Sequence, residues 1–329
     1  MDAPLLLPVL LLLLSASSFA TAKLSENYYA KTCPDFLNIM QDVVFEKQRD
    51  QQATAAAALR IFFHDCMVTG CDASILIAPM EGKPKVEKDA DINEALSGDG
   101  FDVIIRAKME LEMKCPGTVS CADIIAVAAR TLVKMVGGPY YKVLLGRKDG
   151  FVSQASLVEG NLARSNFSMD TMIKMFEAKG YTIEDMVALV GAHTIGFTHC
   201  KEFANRIWDY KPGVQTDPTL NPKYAKALRR LCANYTTNPG KAAFNDPFSA
   251  GTFDNQYYKN LLNGLGLMTS DTLLAMDHRT RPIVVKFAKS QKAFFAAFTS
   301  AMEKTGQIGV KTGKNGEVRD RCDRFNLEE

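Results

Sequence analysis

The sequence predicts an all-α fold, and three features carry that prediction. Apolar residues recur at three- and four-residue steps along most of the 329-residue chain. Strand-like alternation is confined to short stretches such as Tyr141-Lys142-Val143-Leu144. The hydrophobic fraction of 47% supplies a sizeable core, and no internal repeat, low-complexity tract or linker divides it. One mostly helical domain folded as two lobes is therefore expected.

In chain order, helical periodicity covers residues 39–50, 53–66, 101–114, 119–135, 168–179, 182–190, 200–208, 221–234, 254–262, 280–289 and 291–305. Several segments carry their own start signals. Ser120 is placed to cap the fourth and Ser168 the fifth. Thr182 precedes Ile183-Glu184-Asp185, which puts two acids in a first turn where the helix dipole favours them. Gly180 sits where a helix C-cap is expected.

Residues 1–22 read as a signal peptide: an apolar run from Leu5 to Leu14, then small residues ending Ala20-Thr21-Ala22. The mature domain is then 23–329, and no later apolar stretch is long enough to cross a membrane. The formal charge is +2, from 39 basic and 37 acidic side chains, without a basic run. Nucleic-acid binding has no electrostatic footprint here. Eight cysteines behind a leader indicate four disulfides formed in an oxidising compartment, although spacing alone does not choose the pairs. No CxxC pair supports a zinc site. Asn166-Phe167-Ser168 and Asn234-Tyr235-Thr236 are glycosylation sequons.

Only four histidines are present, which narrows the search for chemistry. Arg60 and His64 lie four apart on an expected helix and share a face with Phe63. A guanidinium beside an imidazole lowers its pKa and keeps it a proton acceptor near neutrality. Arg60 can also stabilise charge on a departing oxygen. Taken alone, the pair reads equally as decoration on an amphipathic helix. His193 ends an apolar helix among Gly191, Ala192 and Gly196, small residues beside which a large flat group could approach the backbone. By itself it reads equally as a capping or core histidine. The stretch Asp65, Val68, Gly70, Asp72 and Ser74 gathers hard oxygen donors suited to calcium, or else forms a polar turn with no ion.

The stretches LRIFFHDCMVTGCDAS, Leu59 to Ser74, and VALVGAHTIGFTHC, Val187 to Cys200, closely resemble the distal and proximal haem motifs of the secreted plant (class III) peroxidases. Tyr29–Pro34, Glu87–Ala90 with Asn93, Val119–Asp123, Leu145–Asp149, Phe253–Tyr258, Gly266-Leu267 with Ser270-Asp271, and Arg321-Cys322 match in the same order. The resemblance spans essentially the whole mature chain. It implies an all-α fold whose distal and proximal halves sandwich haem b, with His193 as iron ligand, Asp271 accepting from its other nitrogen and Phe63 lining the cofactor. His64 would be the acid/base toward hydrogen peroxide, Arg60 would promote O–O cleavage and Asn93 would orient His64. Small phenolic or aromatic donors would then be oxidised in one-electron steps by a monomer in the cell wall or apoplast.

The resemblance further implies two calcium ions. The distal ion falls to Asp65, Val68, Gly70, Asp72 and Ser74 with Glu87 linked through water, and the proximal ion to Thr194, Asp246, Ser249, Thr252 and Asp254. It also implies the disulfides Cys33–Cys115, Cys66–Cys71, Cys121–Cys322 and Cys200–Cys232. His199 and His278 match no catalytic position. One departure bears on donors: the family commonly has Pro-x-Pro where this chain has Ala163-Arg164-Ser165, which removes a rigid wall and adds local freedom at a substrate-facing segment. A secreted hydrolase would need a free thiol or a G-x-S-x-G elbow, and neither is found. A wall-binding protein without turnover would not need the catalytic positions kept.

Overall fold

A computed structural model describes residues 24–326; the expected leader, 1–22, lies outside them. Among the described residues twelve α-helices follow one another: α1 (Phe36–Asp50), α2 (Thr54–Val68), α3 (Gly98–Lys114), α4 (Cys121–Met135), α5 (Met169–Glu177), α6 (Ile183–Val190), α7 (Ala204–Ile207), α8 (Pro222–Leu231), α9 (Gln256–Leu262), α10 (Thr269–Met276), α11 (Arg281–Lys289) and α12 (Gln291–Thr305). Every expected segment contains helix, but 200–208 is broken into a 3-10 turn, Cys200–Glu202, and the four-residue α7. Helix α10 is the one not expected. Its first half, Thr269-Ser270-Asp271-Thr272, is polar, and Met268 supplies no side-chain cap. Packing against α9 and α11, rather than local propensity, makes this segment helical.

The predicted caps form. Ser120 Oγ accepts from Asp123 N, and Ser168 Oγ accepts from Thr171 N. Thr182 and Asp185 cap α6 reciprocally. After α5, Gly180 takes a φ of 81° while Tyr181 N donates back to Phe176 O, so the glycine serves the helix end as expected.

Tyr141–Leu144 forms no strand, contrary to its sequence pattern. Tyr141 and Val143 are buried and Lys142 exposed, so the alternation is real, but no ladder pairs with it. Only Leu145 bridges to Ser25. Among the described residues, one two-stranded sheet pairs β1 (Phe197–His199) antiparallel with β2 (Ala242–Phe244), Phe197 facing Phe244.

One lobe is built on α2, which is buried almost throughout and packs on α3 and α4. The approach to α3 is close: a Cβ at Gly100 would lie 2.7 Å from Ile61 Cδ1. The second lobe packs α6 on α12 and α9 on α11 around Phe253, Tyr258, Phe287, Phe294 and Phe298. A smaller core of Phe203, Ile207, Leu228 and neighbours lies under α8. The disulfides are Cys33–Cys115, Cys66–Cys71, Cys121–Cys322 and Cys200–Cys232, as the resemblance implies.

Two of the recognisable motifs close the fold rather than line a site. Asp149 caps α4, accepting from Cys121 N and Ala122 N at 3.1 and 2.8 Å, and also accepts from Arg319 N. Buried Asp123 pairs with Arg147 at 2.8 Å and accepts from Tyr29 Oη at 2.7 Å. A buried charge pair persists only when its remaining hydrogen bonds are made, and here the backbone of Gly146 and Gly306 helps make them.

Candidate active site

A cavity of about 500 Å³ lies between the lobes. Helix α2 lines it with Arg60, Phe63 and His64. Ala192, His193 and Gly196, in the turn after α6, line another wall, and Phe298 and Met302 of α12 a third. The segment from Leu162 to Asn166 forms part of its rim.

The helical spacing of Arg60 and His64 puts both into this cavity, Arg60 Nε donating to His64 Nε2 at 3.2 Å. Asn93 Nδ2 donates to Glu87 O at 2.7 Å, so its Oδ1 must face His64 Nδ1, 2.6 Å away. Nδ1 therefore carries the proton and Nε2 is the acceptor. Burial, reinforced by the Arg60 charge, pushes the imidazole down to about 3, against the pull of Asn93. The guanidinium is held in turn by two carbonyls, Ala95 O at 3.1 Å and Ile92 O at 3.2 Å. Phe63 stacks on Phe176 with ring centres 6.1 Å apart.

His193 Nδ1 lies 3.0 Å from Asp271 Oδ1, on the helix that the sequence pattern misses. A carboxylate only accepts, so this nitrogen donates and Nε2 is left free. Tyr257 Oη donates to the same oxygen at 2.8 Å, and its ring meets His193 edge-on. Burial and the neighbouring Asp271 charge push the Tyr257 phenol far above its ordinary value, so it stays a donor. The small residues here divide their labour. A Cβ on Gly191 would fall 2.1 Å from Tyr258 Oη, so this glycine admits α9 rather than a ligand. Ala192 and Gly196 do face the cavity.

Near the C-terminal end of α2 and after it, Asp65, Asp72, Ser74 and Glu87 are all buried. Backbone donors reach the two aspartates: Ala73 N to Asp65 at 3.0 Å and Ser74 N to Asp72 at 3.2 Å. Both Glu87 carboxylate oxygens and Ser74 Oγ have no partner. The nearest ammonium, Lys311, is 4.0 Å from Asp72. Burial, then the charge of Asp72, raises the Asp65 carboxyl well above its ordinary value, and burial pushes Glu87 up to about 8. The second oxygen-rich loop differs, because its groups are paired among themselves. Asp246 accepts from Ser249 Oγ at 2.8 Å and Asn260 Nδ2 at 2.9 Å, and Thr194 Oγ1 donates to Asp254 at 3.3 Å. Thr252 is exposed. Among the described residues no three His, Cys, Asp or Glu side chains form a metal cage by themselves.

At the rim, Ala163 faces the cavity and its neighbours are tied down. Arg164 makes a two-pronged pair with Asp91 and reaches Glu159, while Ser165 Oγ donates to Glu202 at 3.0 Å. Polar ties thus stand in place of the freedom expected from the missing prolines. Of the other histidines, His278 is 90% exposed, and His199 reaches the rim beside Phe197. Sequence reasoning misses Tyr257 and the two carbonyls that hold Arg60. The Tyr257-Tyr258 pair within a matched motif was the available signal for the first; main-chain carbonyls leave none.

Comparison with known proteins agrees with this geometry. The family model described as Peroxidase matches residues 40–290. The chain is 54% identical over 318 residues to Peroxidase 6 of Arabidopsis thaliana, covering 96% of this chain and 97% of that protein. Peroxidase 41 of the same plant is 53% identical, with 97% and 96% covered, and Peroxidase 65 is 52% identical, with 93% and 90% covered. Identity at this level along nearly the full length, joined to a histidine pair on two walls of one cavity, establishes that the chain belongs to the peroxidase family, as a class III haem peroxidase.

Proposed function

We propose that the chain reduces hydrogen peroxide with His64, Arg60 and Asn93 and passes the oxidising equivalents to small phenolic or aromatic donors. The observation that carries this reading is one cavity with an acceptor imidazole and a guanidinium on α2, and a carboxylate-backed imidazole on another wall. Haem fits these residues: the cavity is large and mostly apolar, and His193 Nε2 is free to hold iron. When bound, haem b supplies the redox-active iron at which peroxide is cleaved. Phe63 and Ala192 would pack on it.

His64 Nε2 takes the proton from the oxygen of peroxide that attacks, then delivers it to the oxygen that leaves as water. Asn93 keeps Nδ1 protonated and the ring aimed. Arg60 presents its guanidinium charge to the departing oxygen from a position that the Ile92 and Ala95 carbonyls fix. Asp271, supported by Tyr257, holds the His193 ring and raises its donor strength. Donors reach the cavity past Ala163.

The orphaned oxygens of Glu87 and Ser74, among three buried carboxylates, support a distal calcium held by Asp65, Asp72, Ser74 and the carbonyls of Val68 and Gly70, with Glu87 acting through water. A proximal calcium at Thr194, Asp246, Ser249, Thr252 and Asp254 rests on the donor chemistry of that loop. We further take the enzyme to be a secreted monomer, residues 23–329 after removal of 1–22. Its oxidised cysteines support secretion, and the exposed Asn166 and Asn234 are its candidate glycan sites.

The decisive test is the visible spectrum of the haem-loaded protein before and after one equivalent of peroxide. The reading requires a Soret band that shifts with peroxide and returns on adding a phenol. Failure to take up haem, or a Soret band indifferent to peroxide, overturns it.

A further inference from the structure

The rim of the cavity is assembled from three chain segments, and side chains tie them together. The first, Asp91 to Ser97, carries Asn93 and the two carbonyls that hold Arg60. The second, Leu162 to Asn166, meets it through Arg164, whose Nη1 and Nη2 lie 3.0 and 3.1 Å from the two Asp91 oxygens. Glu159 holds the same guanidinium from behind at 2.5 Å. The third, from Phe197 to Glu202, meets the second through Ser165 Oγ and Glu202. Arg164 and Asp91 are 73 residues apart in sequence, yet both line the cavity and both reach solvent, with side chains 33% and 68% exposed.

Resting on the reading above that aromatic donors enter here, we propose that Arg164 is a specificity-determining residue: with Asp91 it forms a bar across the rim that restricts bulky donors more than small ones. The prolines that the family commonly carries on either side of this position would stiffen the backbone at 163 and 165 but leave the two segments unconnected. Arg164 connects them by charge. An ion pair this exposed is weak and is screened by salt, so the bar opens readily. The bidentate geometry gives it direction, which a lysine reproduces only in part. The Arg164 pair also holds the Asp91 carboxyl below its ordinary value, so the bar is charged on both sides through the neutral range.

The test compares two donors, a single-ring phenol and a bulky coupled diphenol, by kcat/KM in the haem-loaded enzyme. Arg164→Ala and Asp91→Asn should each raise the bulky-to-small ratio by about threefold to tenfold. Arg164→Lys should restore part of the wild-type ratio. Raising salt from about 0.02 M to about 0.5 M should raise the ratio in wild type and leave it unchanged in Arg164→Ala. Asp91→Asn removes the pair from its other side, so the test survives if one variant fails to fold. A ratio constant within about twofold across variants and salt overturns the proposal while both donors are still oxidised. If the wild type oxidises neither donor with peroxide, the functional reading itself fails, and this inference with it.

Discussion

His64 has one nitrogen committed and one presented, and most of the chemistry follows from that division. Replacing it with alanine should slow the reaction with peroxide by about 10²–10⁴-fold, while haem stays bound, as stopped-flow mixing and the Soret band would report. His193→Ala should instead lose haem. The pH dependence has a definite sign. The buried imidazole titrates near 3 instead of the ordinary 6.5, so the base form persists across the acid range. The peroxide rate should hold its value down to well below pH 6.5, and Arg60→Gln should move the acid limb upward, because the Arg60 charge is one cause of the lowering. The same shift favours the folded state fully above 6.5, and that contribution is lost as pH falls toward 3. This pair was legible because i, i+4 spacing fixes a common face. The carbonyls that hold Arg60 were not, since any residue presents a carbonyl and only the fold aims it.

Helices read well from the sequence when they could be stabilised by their own pattern, and badly when a neighbour supplied the stability. α6 declares itself through Thr182, its first-turn acids and its apolar run, whereas α10 opens with four polar residues and owes its shape to α9 and α11. The proximal half of the site depends on the second kind, since α10 delivers Asp271. The turn after α6 is the least forgiving point. Gly191→Ala should destabilise the protein by about 1–3 kcal/mol, seen as a lower unfolding temperature, because its Cβ meets Tyr258 Oη and Phe294. Thr182→Ala, which removes only a cap, should cost about 1 kcal/mol.

At the scale of the whole molecule, Asp65, Asp72 and Glu87 gather three buried carboxyl groups at the end of α2, with the Lys311 ammonium 4.0 Å from Asp72. On the proposed distal calcium, a chelator should lower the unfolding temperature by several degrees, roughly 1–3 kcal/mol on the scale of a domain this size, and adding calcium back should restore it. Glu87→Gln should shrink the difference. The helices themselves were legible from periodicity; the cavity was not, because its shape depends on where α12 comes to rest against α6 and α2. The four cystine links also have a consequence for how the chain comes apart. Cys33–Cys115 closes a ring with Cys66–Cys71 nested in it, and Cys121–Cys322 closes a second ring around Cys200–Cys232. The rings are neither shared nor interlinked by sulfur, and the exposed turn at Pro116–Gly117 is the isthmus between them. A protease cut inside either ring should leave a single piece on a non-reducing denaturing gel, whereas a cut at the isthmus should release two pieces without any reductant.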